Sequence, residues 1–243
     1  MADGPQQELL ELIVAAGKPA VLLLLNGSAL AVNWADENVP AIIEAWYPGG
    51  QGGTAISEAL AGDFCPGGRL PVTFYKSADQ LPPFDDYSMA KRTYRYFDGE
   101  PLYPFGFGLS YTSFAYSNVK VDKDSVPADG SVKVSADVTN TGSMAGDEVV
   151  QLYLTHTGVA GVPIRALQGM ERVHLARGAK KMVSFTLQDR ALSIVDEAGK
   201  RRIVPGDVEV WIGGGQPVTR SSLPKPSGVT TRFSIVGEAT LPD

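Results

Sequence analysis

An α/β segment followed by an all-β part is the fold class that this 243-residue sequence predicts. Three observations carry it. An unbroken aliphatic run at 21–25 lies between stretches of helical periodicity, as a buried strand of an α/β sheet does. Strict alternation at 131–138, repeated at 148–154, 181–187 and 208–213, reads as short strands of a sandwich. Between the two parts, residues 76–112 are rich in Pro, Asp, Tyr and Phe and poor in aliphatics, so they predict a long irregular connector.

The elements follow in order. Leu9, Leu10, Ile13 and Val14 recur at helical spacing over 6–16, with Pro5 suited to the first turn and Gly17 to the stop. Residues 20–25 form a strand that needs burial on both faces. Residues 35–45 read as a second helical stretch, starting around Pro40. Gly52 and Gly53 lead into a third helix at 54–61, with Thr54 as its cap, and Gly62 closes it. A short strand is expected at 69–74 after the Pro66-Gly67-Gly68 turn. The order is helix, strand, helix, helix, strand. Two strands are too few for an independent parallel sheet of about 4–6 strands, so 1–75 reads as the end of an α/β domain. In the all-β part, Val132, Val134, Ala136 and Val138 share one face. Val150, Leu152 and Leu154 oppose Val149, Gln151 and Tyr153, and Asn140-Thr141-Gly142 makes a turn.

Composition narrows the function classes. Hydrophobic residues make up 44% and charged residues 20%, which excludes disorder for most of the chain. A net charge of -6 without a Lys/Arg block argues against nucleic acid and against an anionic membrane surface. No segment approaches the roughly 20 apolar residues of a membrane span. The single cysteine, Cys65, excludes an internal disulfide and a thiolate zinc cluster. It reads as part of a turn, not as a reactive thiol. The two histidines, His156 and His174, read as solvent-facing strand residues. Residues 1–5 have no basic start and no apolar stretch, so no signal peptide is legible.

Several segments resemble characteristic stretches of glycoside hydrolase family 3. They are Trp46-Tyr47-Pro48-Gly49-Gly50-Gln51-Gly52-Gly53-Thr54, Gly62-Asp63-Phe64-Cys65-Pro66-Gly67-Gly68-Arg69-Leu70-Pro71, Thr93-Tyr94-Arg95-Tyr96-Phe97 and Pro101-Leu102-Tyr103-Pro104-Phe105-Gly106-Phe107-Gly108-Leu109-Ser110-Tyr111. The run from Ala145-Gly146-Asp147-Glu148 to Tyr153 matches as well. The version with Arg92 before Thr93-Tyr94 looks most like the β-xylosidase branch. The resemblance implies a (β/α)8-like domain, then an α/β sandwich domain, then a fibronectin type III-like domain. Residues 1–75 match the C-terminal part of the α/β sandwich domain, 76–112 the connector, and 113–243 the fibronectin type III-like β-sandwich.

The implied activity is retaining hydrolysis of non-reducing terminal β-linked xylose or glucose, without cofactor or metal, on an oligosaccharide or aryl-glycoside substrate. Such chemistry needs two carboxylates about 5–5.5 Å apart. The family places its nucleophilic Asp in the first domain and its acid/base Glu upstream of the segment matched by Gln6-Gln7. No catalytic residue is therefore carried over, and the chain is expected to be inactive by itself, with N-terminal domains supplied in cis or as a separate chain. The whole protein is expected to be periplasmic or secreted. A carbohydrate- or partner-binding module and one subunit of a split glycosidase are the alternatives.

Local carboxylates do not suggest a replacement pair. Asp85-Asp86 reads as turn-forming. Glu37, Glu44 and Glu58 read as solvated helix residues, and Asp147-Glu148 as a surface turn opening a strand. Arg92, Tyr94 and Arg95 are the candidate substrate-binding residues, because sugar sites combine aromatic faces with guanidinium forks. The alternative is structural: Arg95 in an ion pair, with Tyr94 and Tyr96 filling a crevice between domains. No exposed row of Trp marks a polysaccharide-binding face; Trp34 and Trp46 lie in the α/β part, and the face taken by Trp211 is left open.

Overall fold

The computed structural model describes residues 4–196, 198–217 and 220–242. Helix α1 (Pro5–Ala15) starts at a proline, whose missing N–H costs nothing in a first turn. Strand β1 (Val21–Leu24), helix α2 (Asn33–Asn38), strand β2 (Ala41–Glu44) and helix α3 (Gly52–Ala61) follow. β1 and β2 pair in parallel, with Val21 opposite Ala41 and Leu24 opposite Glu44. Their core holds Leu10, Leu24, Val32, Ala35, Val39, Phe74 and Leu102. Leu9, Leu12, Ile13, Val21 and Leu25 remain exposed.

Three sequence expectations change here. The helix expected over 35–45 is a short helix and then a strand. Val39, which precedes Pro40, is forced out of helical geometry to φ -105 and ψ 126. The β-branched pair Ile42-Ile43 then ladders onto Leu22-Leu23. α3 begins at Gly52, two residues before Thr54, and no side chain caps it. A Cβ at Gly52 would lie 2.5 Å from the Pro48 ring, so the helix start fits under that ring only without a side chain. Gly62 stops the helix in the left-handed region, at φ 82. The strand expected over 69–74 reduces to one antiparallel bridge, Phe74 with Tyr103, flanked by the Leu70–Phe107 and Gly106–Leu70 backbone bonds. Pro71 and Pro104 have no N–H to extend the ladder. The order is therefore helix, strand, helix, strand, helix.

Apart from a 3-10 turn (Ala78–Gln80) and a one-turn helix α4 (Thr93–Tyr96), the stretch up to 113 is irregular. Then come β3 (Phe114–Val121), β4 (Ser125–Pro127), β5 (Ser131–Asn140), β6 (Gly146–His156), β7 (Ala166–Leu175) and β8 (Lys180–Gln188). β9 (Ile194–Val195), β10 (Arg201–Ile203), β11 (Gly206–Gly213), β12 (Gly228–Val236) and β13 (Ala239–Thr240) complete them. A five-stranded sheet, β4-β12-β11-β6-β7, packs on a three-stranded sheet, β3-β5-β8. The core is the set that alternation predicts: Val132, Val134, Ala136 and Val138 of β5 face Val150, Leu152 and Leu154 of β6 and Val208, Val210 and Ile212 of β11. The other face of β6 is buried too, because Gln151 and Tyr153 lie beneath the connector.

Candidate functional site

The connector is the region where chemistry-bearing side chains gather. Residues 70–74 and 102–107 run side by side, joined by backbone hydrogen bonds, and Gly106 meets the outer face of β6. Gly106, at φ 77, brings its backbone so close that a Cβ would meet Gln151 Oε1 at 2.2 Å. Gln151 Nε2 donates to the Gly106 carbonyl at 3.0 Å, and Tyr153 donates to Gln151 at 2.6 Å.

Arg92 turns back on its own loop. Its guanidinium donates to the carbonyls of Ser88 (3.2 Å), Pro83 (3.1 Å) and Asp86 (2.6 Å). Asp86 accepts from the Ser88 amide at 2.8 Å, and this bond lowers its pKa; it is the turn-former that the sequence suggests. The clamped loop presents Phe84 and Tyr87 almost fully to solvent, 96% and 91% exposed. Thr93, β-branched, is held at φ 58 while its amide donates to the Tyr75 hydroxyl. Tyr94 stacks on Phe105 with centroids 4.2 Å apart and meets the edge of Tyr153. Its hydroxyl accepts from the Leu167 amide of β7 at 3.1 Å. Arg95 is exposed; its carbonyl accepts from Ile164, and its guanidinium has no hydrogen-bond partner among the described residues. The three candidates are thus adjacent in sequence but face different ways.

Two ionic locks join the α/β part to the sandwich, and neither is legible from local sequence. In the first, Arg69 donates to Glu148 at 2.8 Å, and both side chains are below 10% exposure. Tyr116 donates to the other Glu148 oxygen at 2.7 Å, and Arg69 also bonds the carbonyls of Gly67, Gly68 and Gly214. Burial pushes the Glu148 carboxyl up, and Arg69 opposes that shift. This corrects the surface-turn reading of Glu148: it continues the 150, 152, 154 face of β6 and points inward. Asp147 does stay at the surface, with Arg172 and His174; the His174 hydrogen bond is the largest cause of its lowered pKa. In the second lock, Asp36 of α2 pairs with Arg220 and accepts from the Tyr103 hydroxyl at 2.6 Å.

Other expectations resolve simply. Glu44 ends a strand, not a helix, is half-buried and accepts from the Trp46 amide; burial raises its pKa. Glu37 and Glu58 are exposed. His174 is exposed as expected, but His156 is half-buried, and burial lowers its pKa. Cys65 is buried against Gly146. Trp211 lies over Gly213 and Gly228 and donates to the Gly215 carbonyl, so it is an anchor and not a platform.

Beside Tyr94, a cavity of about 370 Å3 opens between the connector and the start of β7. Tyr94, Phe97, Asp98, Glu100, Arg165 and Gln216 are among its walls.

Comparison with known proteins follows the same division. Residues 1–111 match the glycosyl hydrolase family 3 C-terminal domain, and residues 148–216 match a fibronectin type III-like domain. A β-xylosidase of Formosa agariphila is 40% identical over 216 residues, covering 86% of this chain and 30% of that protein. A xylan 1,4-β-xylosidase of Xylanibacter ruminicola is 42% identical over 210 residues, covering 86% and 24%. A periplasmic β-glucosidase of Salmonella typhimurium is 40% identical over 221 residues, covering 86% and 29%. Among solved structures, a β-glucosidase from Erythrobacter marinus superposes with a TM-score of 0.81 at 36% identity, over 96% of this chain and 30% of that one. β-Glucosidase 3B from Thermotoga neapolitana, in complex with α-D-glucose, superposes with a TM-score of 0.85 at 26% identity, over 99% and 35%. The chain spans about a quarter to a third of the length of these relatives.

Proposed function

Because the chain belongs to glycoside hydrolase family 3, as a C-terminal α/β portion with its fibronectin type III-like domain, we propose that it serves as the C-terminal wall and brace of a retaining β-glycosidase. The substrate would be an oligosaccharide or aryl glycoside ending in β-linked xylose or glucose. The observation that carries this reading is the apolar face of α1 and β1. Leu9, Leu12, Ile13, Val21 and Leu25 stand exposed around a two-stranded parallel sheet, a surface that calls for further strands and helices of the same domain. The nucleophile and the acid/base would come from that upstream part.

Within the complete enzyme, 1–75 would belong to the α/β sandwich domain, 76–112 would run as the connector and 113–243 would form the fibronectin-like domain. Arg92, Tyr94 and Arg95 would make the substrate-contacting group on the connector. Arg92 fixes the 83–88 loop, Tyr94 sets the backbone of α4 against β7, and Arg95 offers an exposed guanidinium to sugar hydroxyls.

A chimera tests the role. In the Formosa agariphila relative, this chain replaces its matching segment, and hydrolysis of nitrophenyl β-xyloside and β-glucoside is followed. A folded, active chimera supports the reading; a folded chimera without turnover sinks it.

A further inference from the structure

The 370 Å3 cavity beside Tyr94 holds an arginine, Arg165, that no carboxylate pairs with among the described residues. Arg165 is half-buried, and burial depresses its pKa. Its partner is the neutral side-chain carbonyl of Gln216, at 2.8 Å. That carbonyl is fixed facing Arg165, because the amide NH2 of Gln216 donates to the Phe105 carbonyl at 2.8 Å. The other ions on the walls are Arg220, paired with Asp36, Glu100, paired with Lys76, and the exposed Asp98, which forms no ion pair among the described residues. A second polar group lacks a partner. Thr73 also lines the cavity, is 8% exposed, and its hydroxyl has no hydrogen bond among the described residues. A guanidinium and a hydroxyl desolvated in this way are costly unless a ligand meets them.

We propose that this cavity binds a monoanionic sugar, a uronic acid, with its carboxylate on Arg165 and its hydroxyls toward Thr73, Asp98 and Glu100. Each part of the ligand answers to a wall. A guanidinium fork reads a planar carboxylate by two parallel hydrogen bonds. The rings of Tyr94 and Phe97 offer faces or edges to the C–H side of a sugar. Asp98 and Glu100 at the mouth accept hydroxyl protons and repel a compact dianion, which disfavours phosphate or sulfate. The volume sits near the small end of ligand clefts, about 300–1,000 Å3, and so suits one sugar ring better than an oligomer. The site shares Tyr94 with the proposed substrate-contacting group, but it is tested on the 243-residue chain without any turnover, so its failure and that of the proposed function are distinguishable.

Isothermal titration at low ionic strength with D-glucuronate, D-glucose and inorganic phosphate decides it. Glucuronate is expected to bind about tenfold or more tightly than glucose, the factor that one charge-assisted pair supplies. Phosphate is expected to bind more weakly than glucuronate. Arg165→Gln should abolish the preference over glucose, while Arg172→Gln, which changes an arginine paired with Asp147 at the surface, should leave it intact. Thr73→Val removes one hydroxyl at nearly constant volume and should weaken glucuronate several-fold; this variant decides the matter if Arg165→Gln does not fold. Equal binding of glucose and glucuronate, phosphate binding as tightly as glucuronate, or undiminished glucuronate binding in Arg165→Gln or Thr73→Val would each overturn the proposal.

Discussion

Glu148 occupies a position where the strand periodicity calls for a hydrophobe, in phase with Val150, Leu152 and Leu154. That parity is the one sequence signal for its burial. Its partner Arg69 lies 79 residues away in an irregular segment, and no local pattern links the two. The same holds for Asp36 with Arg220, 184 residues apart. Arg69→Met should therefore be costly, about 3–5 kcal/mol in denaturant melts, because it strands a buried carboxylate. The double replacement Arg69→Met with Glu148→Leu should recover part of that loss, since the stranded charge is removed while the Tyr116 hydroxyl loses its acceptor. If the single and double variants melted alike, the lock would not be a coupled pair. His156 supports a second expectation. Burial depresses its folded pKa below about 6.5, so between those two values the unfolded chain binds the extra proton. Stability should rise with pH through that window and fall as pH drops below about 6.5. Glu148 slopes the other way above 4.5, because a raised carboxyl pKa adds stability on acidification. The comparison with His156→Gln isolates the histidine: the variant's stability should be flatter just below about pH 6.5, and an unchanged slope would remove His156 as the cause.

At the scale of elements, the sandwich strands were legible because one face of each is buried, and burial enforces strict period two. β5, β6 and β11 run where alternation places them. β2 was not legible, since Ala35, Val39, Ile42 and Ile43 also fit a helical stripe, and only Pro40 argues for a break. The connector was legible as irregular, but the roles inside it depend on which way each side chain turns. Arg92 shows this: its fork holds three carbonyls of the 83–88 loop. In the isolated chain, Arg92→Ala should make that loop the first site of proteolytic cleavage, with the melting temperature nearly unchanged, because the loop carries little of the core. In the active chimera the same change should lower kcat/KM by the equivalent of about 1.5–3 kcal/mol if the loop reaches substrate. A lower melting temperature with intact kinetics per folded molecule would instead make Arg92 purely structural.

For the molecule as a whole, the two parts differ in how well each closes its own core. The sandwich buries both sheets against each other, with Val132, Val134, Leu152 and Val210 fully enclosed. The α/β part leaves Leu9, Leu12, Ile13, Val21 and Leu25 exposed around its two-stranded sheet. Limited proteolysis should therefore leave a resistant fragment beginning near residue 112, while 4–75 is degraded first. Equal survival of both parts would show that the two-stranded sheet is self-sufficient. The 243-residue chain by itself should not approach the turnover of about 1 per second typical of enzymes. Glu148 and Asp36 are committed to ionic locks, and Asp86 to a turn, so none of them is free to act as a nucleophile or acid/base. The sharpest whole-molecule test uses Leu12, on the open face and 71% exposed. In the isolated chain Leu12→Ser should change stability by no more than about 0.5 kcal/mol, as surface substitutions do. In the chimera the same residue would lie against the upstream α/β layer, and the substitution should cost about 2 kcal/mol or more, the scale of removing a buried leucine. Equal costs in the two backgrounds would mean that this face stays open in the complete enzyme, and the upstream layer would then have to dock elsewhere.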